Sequence, residues 1–362
     1  MIIKTTFIIL LAFFLSIVAQ NNHALLAQPT LTQENQKEII DKLVLLLEDN
    51  YVFPEKGKEI GANLLKRLNY NNYKKLSDPR SFAKQITYDL QEIGQDKHLS
   101  LEYDPQRVEE LRTKESNAAE DEVEKIEQRR YKKQLRNNFG FRKVEILDGN
   151  IGYLDLRFFR STDNAANIAV AALTFLSNSD AIIIDLRNNY GGGASMYLLL
   201  ISYFFDSDMK HLTDINNRLS KSTQQFWTLP YIPGKRLPNV DLYLLTSNQT
   251  FSAAEQFTYD LQSLKRAIIV GQYTGGGAHM ATRLIVNNDF YVFMPFAGAI
   301  NPITKTNWEG VGVKPDVEVA ADEALDTAYL LALKNLEKKT TDQDWKDKLS
   351  SLINKNELKT GR

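Results

Sequence analysis

From Phe139 onward the chain alternates short apolar runs with longer amphipathic stretches, and this alternation constrains the fold more than any other feature. "GNIGYLDLRFF" reads as a strand, "NAANIAVAALTFLSN" as a helix, "AIIIDL" as a strand buried on both faces and "ASMYLLLISYFF" as a helix. "DLYLLT", "AAEQFTYDLQSL" and "RAIIVG" continue the order as strand, helix and strand. Strands separated by crossover helices imply an α/β fold with parallel sheet. "HMATRLIVNN" and "DFYVFMPF" add a hairpin, and "ALDTAYLLALKNLEK" a late helix. No repeat of about 20 to 50 residues is present.

The rest of the chain divides by composition. Residues 1–27 hold one lysine, an apolar run from Thr5 to about Ala19 and a polar tail, the layout of a secretory signal peptide. The rival reading is a signal-anchor, although the run is short for a membrane span. Residues 28–103 are expected to form a small all-helical domain, with Ile39, Ile40, Leu43, Leu46 and Leu47 on one face of its first helix. Residues 104–138 are strongly charged with mixed signs and read as an exposed linker or helical excursion held by Glu110 with Lys114 and Asp121 with Lys125. Residues 139–338 carry the α/β pattern, and 339–362 read as a solvated C-terminal tail.

Composition removes several function classes. The formal net charge of -1 argues against a broad basic surface for nucleic acid. The absence of cysteine excludes disulfides, thiolate catalysis and cysteine metal sites, so an exported protein of this kind is held by its core alone.

Three segments carry residue types suited to chemistry. In "AIIIDLRNNYGGGAS" a strand passes through Gly191, Gly192 and Gly193 into a helix, so backbone N–H groups there can hold an anion or a developing oxyanion. The spacing matches neither a phosphate-binding loop nor a dinucleotide fingerprint, and a tight turn alone would also explain the glycines. In "TSNQTFSAAEQF" Ser252 follows a strand and opens a helix. Ser252 and Glu255 make a capping box, yet strand, turn, helix is also the setting of an exposed nucleophile without the Gly-x-Ser-x-Gly form. In "NPITKTNWEGVGVKPDVEV" Glu309 is either an exposed turn charge or the acid that orients an imidazole.

Candidate bases are few. His23 lies in the leader, His211 on an exposed-looking loop, His98 where a helix gives way to a strand, and His279 in a glycine-rich turn. Taken singly, each is as well explained by packing or surface exposure.

Together and in this order, "DKHLSLEY", "AIIIDLRNNYGGG", "TSNQTFSAAEQF", "VGQYTGGGAH" and "NPITKTNWEGVGVKPDVEV" resemble the tail-specific (C-terminal-processing) serine proteases. The similarity is to the branch of the interphotoreceptor retinoid-binding protein repeats, and it runs from about Leu31 to Leu336. It implies a crotonase- or ClpP-like core of repeated ββα units behind a helical N-terminal domain. It also implies Ser252 as nucleophile, with Gly191, Gly192 and Ala253 at the oxyanion hole. Gly277 stands at or near the place of the lysine of the commoner members, and no PDZ-like module is present. The resemblance to tricorn-type and chlamydial secreted proteases then points to a Ser-His-Glu arrangement, with His98 as base and Glu309 as its partner; His279 is the other candidate base.

The expected function is a serine endopeptidase acting on peptides or unfolded proteins, periplasmic or secreted. No metal or organic cofactor, nucleic acid or membrane partner beyond the leader is expected. The alternative is a non-catalytic carrier of an apolar ligand, a fatty acid or retinoid-like molecule, and a third reading is a structural protein whose motifs are relics.

Overall fold

The structure is a computed structural model that describes residues 30–116 and 120–360; the expected leader lies outside the described residues. Three helices open the chain: α1 (Gln33–Asn50), α2 (Pro54–Asn69) and α3 (Pro79–Gly94). Thr32 and Asp78 cap α1 and α3 through their side chains, and Pro79 occupies the first turn of α3, where its missing N–H costs nothing. Gln95 ends α3 in a left-handed conformation, φ 53°. That reversal sends residues 96–99 back toward the body of the protein, into strand β1 (Ser100–Tyr103).

The charged segment holds two helices, α4 (Pro105–Glu115) and α5 (Glu120–Leu135). Their ion pairs differ from expectation. Glu110 accepts from Arg107 at 2.8 Å and Arg130 at 2.6 Å, and Lys114 reaches Glu127 at 3.1 Å. The cause is tertiary: with α4 and α5 side by side over buried Val108 and Ile126, Lys114 and Arg130 reach the neighbouring helix, and only Arg107 pairs within its own.

The α/β part runs β2 (Phe141–Leu147), β3 (Ile151–Leu156), α6 (Thr162–Phe175), β4 (Ala181–Asp185), α7 (Ala194–Ser202), β5 (His211–Asn217), β6 (Ser222–Trp227) and β7 (Asp241–Thr246). It continues with α8 (Ala253–Ser263), β8 (Ile268–Gly271), β9 (His279–Ile285), β10 (Phe290–Ile300), β11 (Val317–Glu318), α9 (Ala324–Lys339) and α10 (Gln343–Thr360). The central sheet has the order β11-β8-β7-β4-β3-β2, parallel throughout except for the β2–β3 hairpin. Its two faces follow from strand alternation. Ile182 and Ile184 face α6, α7 and α8, whereas Ala181 and Ile183 face α9. Burial on both sides explains the unbroken apolar run of β4.

The second sheet is antiparallel, ordered β1-β10-β5-β6, with β9 also paired to β10. β1 pairs with β10 from Ser100 opposite Phe293 to Tyr103 opposite Phe290. The front unit is therefore not all-helical: it contributes a strand to this sheet, and its core takes in Phe290, Val292 and Met294 of β10. The C-terminal residues also depart from expectation. Residues 343–360 form a helix rather than a solvated tail, because Leu349 and Ile353 fall on one face and bury against α9.

Candidate active site

β4, β7 and β8 are parallel neighbours, so the loops after them gather at one edge of the sheet, the usual place for a site in such folds. The turn from β7 to α8 is tied down before it reaches Ser252. Thr250 donates its hydroxyl to Leu186 O at 2.8 Å, and the Phe251 N–H bonds Asn189 O at 3.0 Å. Ser252 then adopts φ 56°, ψ -121°, a conformation that side-chain sterics normally reserve for glycine. Holding it costs about 1–3 kcal/mol, which the surrounding bonds must offset. The result is a sharp strand-to-helix turn with a half-buried serine at the positive end of α8.

The glycine turn after β4 abuts this serine. A Cβ on Gly191, at φ 92°, would lie 2.8 Å from Ser252 Cβ and 2.9 Å from Ala253 N. On Gly192 it would lie 2.1 Å from Phe159 O. The Gly191 N–H is bound to Asn189 Oδ1 at 2.8 Å and that of Gly193 to Phe159 O at 2.7 Å. Gly191 thus holds the turn against Ser252 but has no free amide to offer an oxyanion. The N–H groups of Gly192 and Ala253 donate to no group among the described residues.

Glu255 joins Ser252 to the loop after β8. Fully buried, it accepts from Ser252 N at 2.8 Å, Thr274 Oγ1 at 2.5 Å, Gly276 N at 2.6 Å and Gly277 N at 2.8 Å. Burial pushes its pKa up to about 7 despite these donors. Gly277 has no room for any side chain: its Cβ would lie 2.3 Å from Phe251 Cζ and 2.7 Å from His98 Cε1. The imidazole and the phenyl ring thus fill the space into which a residue at this position would project.

His98 is 3% exposed, its ring 4.6 Å from that of Phe251, the residue before Ser252. Burial lowers its pKa to about 4, against the opposing pull of Asp96. Asp96 is fully buried and accepts from His98 N at 2.9 Å, Tyr51 Oη at 3.1 Å and His279 Nδ1 at 2.8 Å. Burial disfavours an imidazolium at His279, but the Asp96 bond and the Glu309 charge outweigh it and raise its pKa. Glu309 accepts from Ala278 N at 2.5 Å and lies 3.4 Å from His279 Nδ1; burial and the nearby Asp96 charge push its pKa to about 7. One ligand-capable atom from each of Asp96, His98 and Glu309 falls within 4.8 Å of the others.

The structure thus brings His98 and Glu309 together and sets His98 beside the Ser252 turn, but forms no hydrogen bond between His98 and Ser252 or between His98 and Glu309. His98 Nδ1 and Glu309 Oε1 are both buried without a hydrogen-bond partner among the described residues. His211 lies elsewhere, on β5 rather than a loop, stacked on Trp227 and 2.9 Å from Asp214. Sequence reasoning overlooked Asp96, Asn189 and Phe251. The available signal for Asp96 was a carboxylate two positions before His98 at a helix end.

Among the described residues no helix is long and apolar enough to cross a membrane. Comparison with known proteins gives one curated relative and several structures of similar fold. Carboxyl-terminal-processing peptidase 3 from chloroplasts of Arabidopsis thaliana is 28% identical over 169 residues, 46% of this chain and 31% of that protein, so the match spans about a third of the relative. A protein of Parabacteroides merdae described as a peptidase superimposes with TM-score 0.56 at 17% identity, covering 82% of this chain and 96% of that one. A lipoprotein of Streptococcus agalactiae gives TM-score 0.53 at 13% identity, with 83% and 96% covered. These two likenesses concern the fold. The sequence pattern of peptidase family S41 matches residues 150–319, and that of the N-terminal domain of peptidase S41 in eukaryotic IRBP matches residues 28–147. With both patterns present in order on this fold, the chain belongs to peptidase family S41.

Proposed function

We propose that the protein is a serine peptidase that cleaves peptides or unfolded proteins, in an exported setting, through an acyl-enzyme on Ser252. The observation that carries this reading is the backbone of Ser252, held in a glycine-only conformation beside two uncommitted amides. A serine needed only as a cap gains nothing from that strain, whereas a nucleophile gains exposure of its hydroxyl at a helix N-terminus. The strain and the free amides make one machine.

In this mechanism Ser252 Oγ attacks the peptide carbonyl while His98 takes the hydroxyl proton, and the amides of Gly192 and Ala253 hold the oxyanion. His98 returns the proton to the leaving amine. Water then attacks the ester, losing its proton to His98, which passes it to Ser252 as the acid product leaves. Glu309 orients the imidazole and stabilises its charged form. A bond from His98 Nδ1 to Glu309 Oε1 would satisfy both unpartnered atoms at once, and its formation belongs to substrate binding, when catalytic hydrogen bonds tighten.

The test is digestion of an unfolded protein and a mixed peptide library by the purified protein, beside Ser252→Ala and His98→Ala. Loss of several orders of magnitude in both variants supports the reading. Equal inertness of all three, with uptake of a fatty acid or retinoid by the wild type, would make this chain a carrier instead.

A further inference from the structure

We propose that Asp96, His98, His279 and Glu309 form a binding site for a single Zn²⁺ ion, which competes with catalysis for His98. The inhibitory consequence rests on the peptidase reading above; the binding itself does not. Donors of Asp96, His98 and Glu309 converge within reach of one ion, and His279 stands against both carboxylates. His279 Nδ1 lies 2.8 Å from Asp96 Oδ2 and 3.4 Å from Glu309 Oε2, and Asp96, His98 and Glu309 bring donors within 4.8 Å of one another. Ligands at about 2.0–2.2 Å in a tetrahedron stand roughly 3.4 Å apart, so the donors of Asp96, His98 and Glu309, within 4.8 Å of one another, have to close, and His279 Nδ1 has to exchange its 2.8 Å bond to Asp96 for the metal.

The second observation is the state of these donors. His98, 3% exposed, leaves Nδ1 without a partner, and Glu309 leaves Oε1 so. Unpartnered buried polar atoms are uncommon and call for a cause. Two in one cluster, one of them a neutral imidazole nitrogen with a lone pair available in the right tautomer, present ligands at little cost in deprotonation. The outer shell is also built. Tyr51 Oη and the His98 N–H hold Asp96, and the Ala278 N–H holds Glu309, as ligating carboxylates require.

Charge and donor type select the ion. Once His279 and Glu309 have released their protons, as metal ligation requires, the two buried carboxylates carry a net negative charge that a divalent cation offsets. Two nitrogen donors suit Zn²⁺, whereas Mg²⁺ and Ca²⁺ prefer larger sets of oxygens. Zn²⁺ on His98 Nδ1 forces the ring proton onto Nε2, the nitrogen that must be bare to accept from Ser252, so metal binding and proton transfer from Ser252 exclude each other.

The experiment is calorimetric titration of the purified full chain with ZnCl₂ and with MgCl₂, on the wild type, His279→Gln, Glu309→Gln and His211→Ala, each checked for an unchanged thermal melt. Zn²⁺ cleavage inhibition is measured in parallel. One Zn²⁺ per chain is expected, with no Mg²⁺ binding, at least tenfold weaker affinity in His279→Gln and Glu309→Gln, and no change in His211→Ala. In His279→Gln the inhibition by Zn²⁺ should weaken by the same factor. Absence of stoichiometric binding, or binding that follows His211 rather than His279, overturns the site. Binding without cleavage by any form keeps the metal site and removes the peptidase reading; cleavage without binding does the reverse.

Discussion

The Glu255 carboxylate accepts the backbone N–H of Ser252 at 2.8 Å, so an acid three positions along the chain fixes the strained residue from inside the protein. The same carboxylate binds Thr274, Gly276 and Gly277, making it the joint between the nucleophile turn and the loop that lies against His98. All four groups around it are donors. Glu255→Gln turns an amide N–H₂ toward them, and with charge-assisted bonds worth about 1.5–3 kcal/mol each it should cost about 3 kcal/mol of stability. Cleavage should fall at least tenfold as the turn relaxes. Urea unfolding and peptide kinetics on the variant check both; wild-type values would mean that the joint does not hold the turn.

The backbone of Ser252 can be tested apart from its hydroxyl. Ser252→Ala and Ser252→Gly both remove the oxygen, but only glycine accepts φ 56°, ψ -121° without steric cost. Ser252→Gly should therefore be more stable than Ser252→Ala by about 1 kcal/mol, although glycine also makes the unfolded chain freer. Equal melting temperatures would show that the conformation carries little strain.

Neighbouring glycines should behave oppositely. A methyl group on Gly191 meets Phe251 O, Ser252 Cβ and Ala253 N, all within 2.9 Å, and φ 92° is closed to alanine. On Gly193 the nearest atom is Phe159 O at 3.7 Å, and φ is -96°. Gly191→Ala should lose most activity and about 2–4 kcal/mol of stability, as overpacking and strain combine. Gly193→Ala should stay within about 1 kcal/mol of wild type. Parallel thermal melts and cleavage assays decide between them.

These glycines show what the sequence could and could not disclose. The unbroken apolar runs of "AIIIDL" and "DLYLLT" announced the parallel sheet because burial on both faces leaves a mark in composition. "STQQFW" left none, since β6 is an exposed edge strand with little apolar alternation, and the hairpin of β5 and β6 went unrecognised. The helix of residues 343–360 was legible in the spacing of Leu349 and Ile353, yet the surrounding lysines and acids masked it. Within the site, Ser252 and Glu309 were visible as residue types in suggestive places. That Gly191 spends its amide on Asn189, and that Phe251 and His98 close the space over Gly277, depend on distances that no linear pattern encodes.

The pH profile of cleavage should report a depressed base. Burial lowers His98 to about 4, so it stays neutral, and able to accept the Ser252 proton, well below the ordinary histidine range. The acid limb of kcat/KM, which reads the free enzyme, should fall at about pH 4–5 rather than near 6.5. Measurement on a short uncharged peptide between pH 3.5 and about 8 checks this. A limb near 6.5 that persists in His279→Gln would mean that His98 is solvated in the working enzyme.

Asp260 supplies a stability signal independent of catalysis. Fully buried on α8, it accepts from Tyr197 Oη at 2.5 Å, Thr213 Oγ1 at 3.0 Å and Asn301 at 3.0 Å, joining the helix that Ser252 opens to the second sheet. Desolvation dominates these bonds and raises its pKa from 3.8 to about 7. The folded state therefore holds a proton that the unfolded chain has already released. The associated stability is fully present below about pH 3.8 and is lost as pH rises through about 7, an effect of a few kcal/mol at 1.36 kcal/mol per unit. Asp260→Asn cannot titrate, so its urea midpoint should fall less between pH 4.5 and about 7.5 than that of the wild type. Parallel slopes in the two proteins would place the carboxylate in a better solvated setting than its burial implies.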